Sequence, residues 1–199
     1  TNIASTSYVQ ADVDFLQGMI VHHKQAILMS ELAEERTNNQ TILDLADRID
    51  ISQEDEIDFM ENWLESRGEN KNLPSHDLMK MAGMASSEEL KELKKSKSTS
   101  FDKIFLKLMI NHHDGALEMV KTLKEFPGNS YDSSLDEFIS ELINDQGVEI
   151  ERMNGILVNL SDDPRSNLEP GLYDAGQSIQ NLKLVTSLKK PIGFFDPEN

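Results

Sequence analysis

FLQGMIVHHKQAILMSE, residues 15–31, and FLKLMINHHDGALEMVK, residues 105–121, are one pattern written twice. Phe15, Leu16, Met19, Ile20, His22, His23, Ala26 and Met29 recur at a constant offset as Phe105, Leu106, Met109, Ile110, His112, His113, Ala116 and Met119. Asp12 recurs as Asp102, upstream of each copy. Downstream, Gln53, Glu56, Ile57, Met60 and Leu64 answer to Gln146, Glu149, Ile150, Met153 and Leu157. Six of the nine methionines are therefore three repeated pairs, and four of the five histidines are two repeated His-His pairs. The remaining Met79, Met81 and Met84 cluster with His76 between the repeats.

Apolar residues at helical spacing predict a helix from Asp12 to about Arg36, ended by Thr37, Asn38 and Asn39. A second helix carries Ile42, Leu45, Ile49, Ile57, Met60 and Leu64, with Gly68 as its stop. The connector holds Pro74 and Gly83. A short helix then opens at Ser86, with Glu89 at capping-box spacing. The second repeat ends at Pro127–Gly128, and its partner helix opens at Ser134, with Glu137 three residues on, and runs to about Asn159. Two hairpins so joined make an all-α, antiparallel four-helix bundle with approximate two-fold symmetry. The bundle spans 12–160: repeat one 12–68, connector 69–100, repeat two 101–160. Residues 161–199, punctuated by proline and glycine, read as an irregular tail or a lead-in to a further domain.

Composition narrows the function classes. A net charge of −17 over 199 residues argues against nucleic acid, whose phosphates need a Lys/Arg surface. The absence of cysteine excludes disulfides and thiolate sites. No stretch is long and apolar enough to span a membrane.

On a helical wheel His23 and His113 fall within the apolar stripes, and His22 and His112 at their edges. With the turn centred near Asn38, antiparallel pairing brings His22 and His23 level with Gln53 and Glu56, and Met19 level with Met60. His112 and His113 likewise come level with Gln146 and Glu149. A buried hydrogen-bonded layer of imidazole, amide and carboxylate would satisfy that geometry without any metal. Doubled His-His with Met on three sides favours a metal. Imidazole suits zinc, copper and iron, whereas thioether selects Cu(I), so copper stands ahead of zinc. The candidate ligands are His22, His23, Met19, Met29 and Met60, then His112, His113, Met109, Met119 and Met153. Gln53, Glu56, Gln146 and Glu149 stand behind them, and His76, Met79, Met81 and Met84 form a possible additional site. A di-iron carboxylate site needs Glu-x-x-His, and Met19 and Met109 stand where those glutamates would be. Nucleophilic catalysis has no support, with no thiol and no Ser or Thr beside a base.

The pattern Phe-Leu-x-x-Met-Ile-x-His-His, followed by Gln-x-x-Glu-Ile-x-x-Met, resembles the domain-of-unknown-function family 305 over roughly residues 12–160. The segments GMASSEELKEL and FDKIFLKLMINHHDGALEM match its second half. The resemblance implies a ferritin-like four-helix fold, usually in exported (periplasmic or extracellular) bacterial proteins, some of which bind copper through Met and His. Two departures stand beside the first pair, where Val21 and Lys24 replace the family's frequent Pro and acid. Asp114 follows the second pair, so equal affinity of the two repeats is not expected. The leading expectation is an exported, non-enzymatic copper-binding or buffering protein, with a homodimer or an attached extracellular domain as possible partners. The alternative is a structural or interaction module whose His–Glu layers are only hydrogen-bond networks. A metalloenzyme with an open coordination position ranks below both.

Overall fold

The computed structural model describes residues 8–72 and 81–160. All regular structure among them is helical: α1 Gln10–Ser30, α2 Ala33–Arg36, α3 Gln40–Ser66, α4 Ser87–Lys95, α5 Ser98–Lys124 and α6 Ser133–Asn159. The described residues up to 157 belong to one compact unit. The tail expected over 161–199 lies outside the described residues, as do His76 and Met79.

The four long helices are α1, α3, α5 and α6, and they bury one apolar core. Leu16, Met19, Ile20, Met60, Leu64, Ile139 and Leu142 meet there at 2% exposure or less. Phe59 stacks on Phe138 across α3 and α6 with ring centroids 4.4 Å apart. The first expected helix is divided: α1 ends at Ser30 and α2 resumes at Ala33. Glu31 and Leu32 keep right-handed helical dihedrals, so the path continues through the division. The short helix opens as expected, with the Ser86 hydroxyl accepting from the Glu89 N–H and the Glu89 carboxylate accepting from the Ser86 N–H at 2.8 Å.

At the start of α6 the capping group is Asp132, in place of the expected Ser134. One Asp132 oxygen accepts from the Ser134 N–H, the Leu135 N–H and the Trp63 indole N–H. The other accepts from Arg67 at 2.5 Å, while the Arg67 guanidinium lies 3.9 Å above the Trp63 ring. Burial alone would raise the Asp132 carboxyl. Hydrogen bonds from Ser134, Arg67, the Leu135 N–H and Trp63 outweigh it and hold the group well below its ordinary value. An acid at this position also meets the positive end of the helix dipole.

The two repeats lock each other's turns. Buried Asp12, at the start of α1, accepts from the Ser130 N–H at 2.9 Å in the α5–α6 turn, where Ser130 adopts a positive φ of 52°. Its other oxygen accepts from the Val9 N–H. Buried Asp102, at the start of α5, accepts from the Asn39 side-chain amide at 3.0 Å. Asn39 in turn caps α3 through the Thr41 N–H. Each repeated aspartate therefore fixes the loop of the opposite hairpin.

The connector breaks this symmetry. Residues 81–85 lie across α1 and α5, and the Gln25 side chain clamps Ala85 by accepting from its N–H at 2.7 Å and donating to its carbonyl at 3.0 Å. Asn111 donates to the Gly83 carbonyl. Gly83 has φ +76°, and a Cβ there would lie 2.8 Å from the Cα of Gly115. A Cβ on Gly115 would come within 2.6 Å of the Gly83 Cα. Gln25 and Gly115 are repeat mates, so one copy supplies the clamp and the other the clearance.

Asp12→Ala should lower the unfolding free energy by about 2–3 kcal/mol, because it strands two backbone donors, one of them buried. Asp102→Ala, which removes one side-chain bond, should cost about 1–2 kcal/mol. Urea denaturation of the two variants checks the order. The depressed Asp132 carboxyl stabilises the fold above its unfolded value of 3.8, and that contribution is lost as pH falls below it. Acid denaturation of Asp132→Asn should accordingly be flatter than wild type below about pH 4.

Candidate metal centre

His22 and His23 come from the middle of α1, and His112 and His113 from the middle of α5. Because the helices run antiparallel, the two pairs meet at the centre of the bundle. The four rings form a row in the order His23, His22, His112, His113, with successive centroids 6.3, 3.7 and 6.2 Å apart. The central two are stacked with a 33° tilt. All four are buried. A carboxylate closes each end: His23 Nε2 lies 2.5 Å from Glu56 and His113 Nε2 lies 2.7 Å from Glu149. These are the partners that counting residues from the hairpin turns predicts.

Hydrogen bonding fixes the proton positions on the central pair. His22 Nε2 faces the Ala82 carbonyl at 3.0 Å, and His112 Nε2 faces the His22 carbonyl at 2.9 Å. A carbonyl only accepts, so each Nε2 carries the hydrogen. Burial, and next the charge His23 would carry, push His22 down to about 3. Burial, then His22, His113 and His23, hold His112 well below its ordinary value. Both rings are therefore neutral near pH 7, and each Nδ1 presents a bare lone pair. Neither Nδ1 has a partner among the described residues, and each is sealed from solvent. Leaving such a group unpaired in a dry interior is unfavourable, and a neutral imidazole lone pair is what a transition metal takes. These residues fit a metal.

The outer rings differ from one another. His23 Nδ1 is also unpartnered. His113 Nδ1 donates to the Met109 carbonyl at 2.9 Å, so both of its nitrogens are engaged. Both ends of the Gln53 amide and the Gln146 Oε1 are buried without partners.

The methionines divide into two groups. Met19, Met29, Met60, Met109 and Met153 are fully buried. Met19 and Met60 pack within the apolar core, where thioether also serves as filler. Met119 and Met81 instead approach each other's space over Gly18: a Cβ built there would lie 3.4 Å from Met119 Cε and 3.9 Å from Met81 Sδ. Met84 is half-buried on the connector. Among the described residues no three His, Asp or Glu converge as a metal cage. Any ion held here would need thioether or amide donors beside imidazole.

Residue patterns did not point to the Ala82 carbonyl, Gly18 or Gly115 as parts of this site. The usable signal was the mismatch of Gln25 with Gly115, and of Gly18 with Leu108, between otherwise matching repeats.

Several known proteins share the fold. Residues 12–157 match the family described as Domain of unknown function (DUF305). A DUF305 fragment from Deinococcus radiodurans is 29% identical, with a TM-score of 0.69 over 76% of this chain and 98% of that one. A DUF305 protein from Streptomyces coelicolor, described as secreted, is also 29% identical, with a TM-score of 0.68 over 75% of this chain and 92% of that one. CopM in its Cu(I)-bound form is 28% identical, with a TM-score of 0.60 over 74% of this chain and 96% of its own. CopM has also been solved with Ag and with Cu(II). Uncharacterized protein L153 of Acanthamoeba polyphaga mimivirus is 45% identical over 56 residues, and that match takes in 28% of this chain and 37% of the viral protein's length. With its repeated His-His motif on paired helices, the chain belongs to the DUF305 family.

Proposed function

We propose that this chain binds copper as Cu(I) through the methionines and histidines of its bundle, and that it buffers or carries the metal rather than catalysing a reaction. The observation that carries the reading is the pair of bare, buried Nδ1 atoms on His22 and His112, in rings stacked 3.7 Å apart. Cu(I) accepts imidazole and thioether together, whereas zinc prefers thiolate, imidazole and carboxylate donors. His22 and His112 would supply nitrogen, with His23 beside them. Met19, Met29, Met60, Met109, Met119 and Met153 are the sulfur donors at hand. Glu56 and Glu149 hold His23 and His113 in orientation, and Gln53 and Gln146, one helical turn before those glutamates, carry buried amide atoms without partners among the described residues. The copper and silver forms of CopM support the choice of a soft ion. Export is part of this proposal and is supported by the Streptomyces relative, which is described as a predicted secreted protein. Among the described residues no helix is long and apolar enough to cross a membrane.

One observation favours a second reading, in which the rings only stabilise the bundle. His113 satisfies both nitrogens within the protein and needs no ion. On that reading the second repeat is structural and the first is its incompletely bonded copy.

Competition of the protein against a chromogenic Cu(I) chelator under reducing conditions, with Zn(II) in parallel, separates the two. Wild type should take Cu(I) stoichiometrically and hold it more tightly than Zn(II). Joint replacement His22→Ala/His112→Ala should abolish that binding, and unchanged binding in the double variant overturns the assignment. Glu56→Gln, which loosens the orientation of His23, should weaken Cu(I) by about 10–100-fold.

The metal-free protein carries its own test. His22 and His112 titrate lower in the folded chain than the ordinary 6.5, so the unfolded chain binds more protons below that pH. Stability should be full above about 6.5 and fall on acidification, with a slope approaching about 1.4 kcal/mol per pH unit for each ring. Urea midpoints measured from about pH 7.5 to about pH 4.5, across the histidine range, should flatten when both rings are replaced by Phe.

A further inference from the structure

Every ring of the histidine row is at or below 1% exposure, so an ion reaching it must pass a defined opening. A groove of about 370 Å³ lies between α1 and α5 beside the connector. Its wall includes Gly18, Met81, Ala82 and Met119, with Asp14 and Glu118 at exposed positions around it. Three features of it point to a ligand. The two thioethers come from different elements, Met81 from the connector and Met119 from α5, and both reach the space left by the missing side chain of Gly18. The Asp14 carboxylate gives a largely apolar groove a negative group that draws cations, while Glu118 at its edge is paired with Lys121 at 3.2 Å. Ala82, which follows Met81 directly, is the residue whose carbonyl accepts from His22 Nε2 at 3.0 Å. Groove and histidine row therefore meet at a single peptide.

The repeat shows that this opening belongs to one side only. The mate of Gly18 is Leu108, which is buried at 8% exposure. The mate of Met119 is Met29, which is fully buried. The first repeat's helix is thus indented where the second repeat's helix is filled.

We propose that this groove is a thioether site for a soft monovalent cation, Cu(I) or Ag(I), held by Met81 and Met119 over Gly18 and passed inward to the histidine row beside Ala82. Thioether sulfur discriminates for soft cations against Zn(II), Mg(II) and Ca(II), so the groove selects the ion before it reaches imidazole. Gly18 is the specificity-determining position, since its lack of a side chain leaves the sulfurs room for an ion. The proposal rests on the copper reading above and adds to it the place of capture.

Titration of the full chain with Ag(I), followed by NMR of the methionine methyl groups and the histidine rings, tests capture. Stopped-flow transfer of Cu(I) from a chromogenic complex tests passage. Ag(I) should shift the Met81 and Met119 methyl signals together with those of the His22 and His112 rings. Met81→Leu/Met119→Leu, which keeps side-chain volume, should slow Cu(I) uptake by roughly an order of magnitude. Gly18→Ala should slow it in the same sense. Rings that shift while the Met81 and Met119 methyls stay still, or uptake as fast in the double Leu variant, overturn the groove and leave the copper reading standing. Methyl shifts with unmoved rings sustain the groove as a site and overturn the passage inward. A wild-type chain in which neither set moves overturns both.

Discussion

The stack of His22 on His112 is the contact around which the bundle is arranged. It lies where α1 and α5 cross, and it joins the two repeats through the same residue of each. Two imidazoles 3.7 Å apart in a dry interior cannot both carry charge, and desolvation disfavours charge on either. Burial supplies that desolvation, and the backbone supplies the tautomer by placing an accept-only carbonyl before each Nε2. Neutrality, orientation and the bare Nδ1 atoms all follow from that one packing choice. Glu56 and Glu149 then close the ends of the row, their own side chains 13% and 10% exposed while the rings they hold are fully buried.

Duplication explains the layout, and departure from it explains the chemistry. Equivalent residues at equivalent heights give the row its order. A perfectly symmetric chain would let each central Nε2 bond the other repeat's carbonyl. Only His112 does so, while His22 turns to Ala82 on the connector. That exchange is possible because Gly115 stands where the first copy has Gln25, which lets the connector descend onto α5. The same connector carries Met81 to Gly18. One local break in the repeat therefore produces both an uneven pair of central rings and a groove on one side alone.

Most of the bundle could be read from residue patterns, because hairpin geometry is local. Equal distance from a turn pairs His23 with Glu56 and His113 with Glu149, and both pairs are present. The ring stack was not legible in the same way. Helical periodicity puts His22 and His112 at the edge of a stripe but does not say which helix they will face, since that depends on how two hairpins dock. The cap of α6 lies two residues before the Ser134 that the spacing predicts: Ser134 has the right chemistry, yet its hydroxyl bonds Asp132, which also receives Trp63 of α3 and Arg67 just beyond it. A partner from another helix outweighed the local signal. The groove leaves no residue pattern to read because it is made by an absence, the side chain that Gly18 lacks.

The exchanged aspartate braces bear on how such a chain reaches its structure. The Asp12–Ser130 bond joins residues 118 apart, and the Asp102–Asn39 bond joins residues 63 apart. Neither hairpin can complete its own turn from its own residues, so the last bonds of each loop wait for the other half to arrive. Long-range closure of this kind slows folding relative to a bundle of self-contained hairpins, and it ties the halves into one cooperative transition. The histidine row forms only when both copies are in place, which makes the assembled core itself the condition for a competent site.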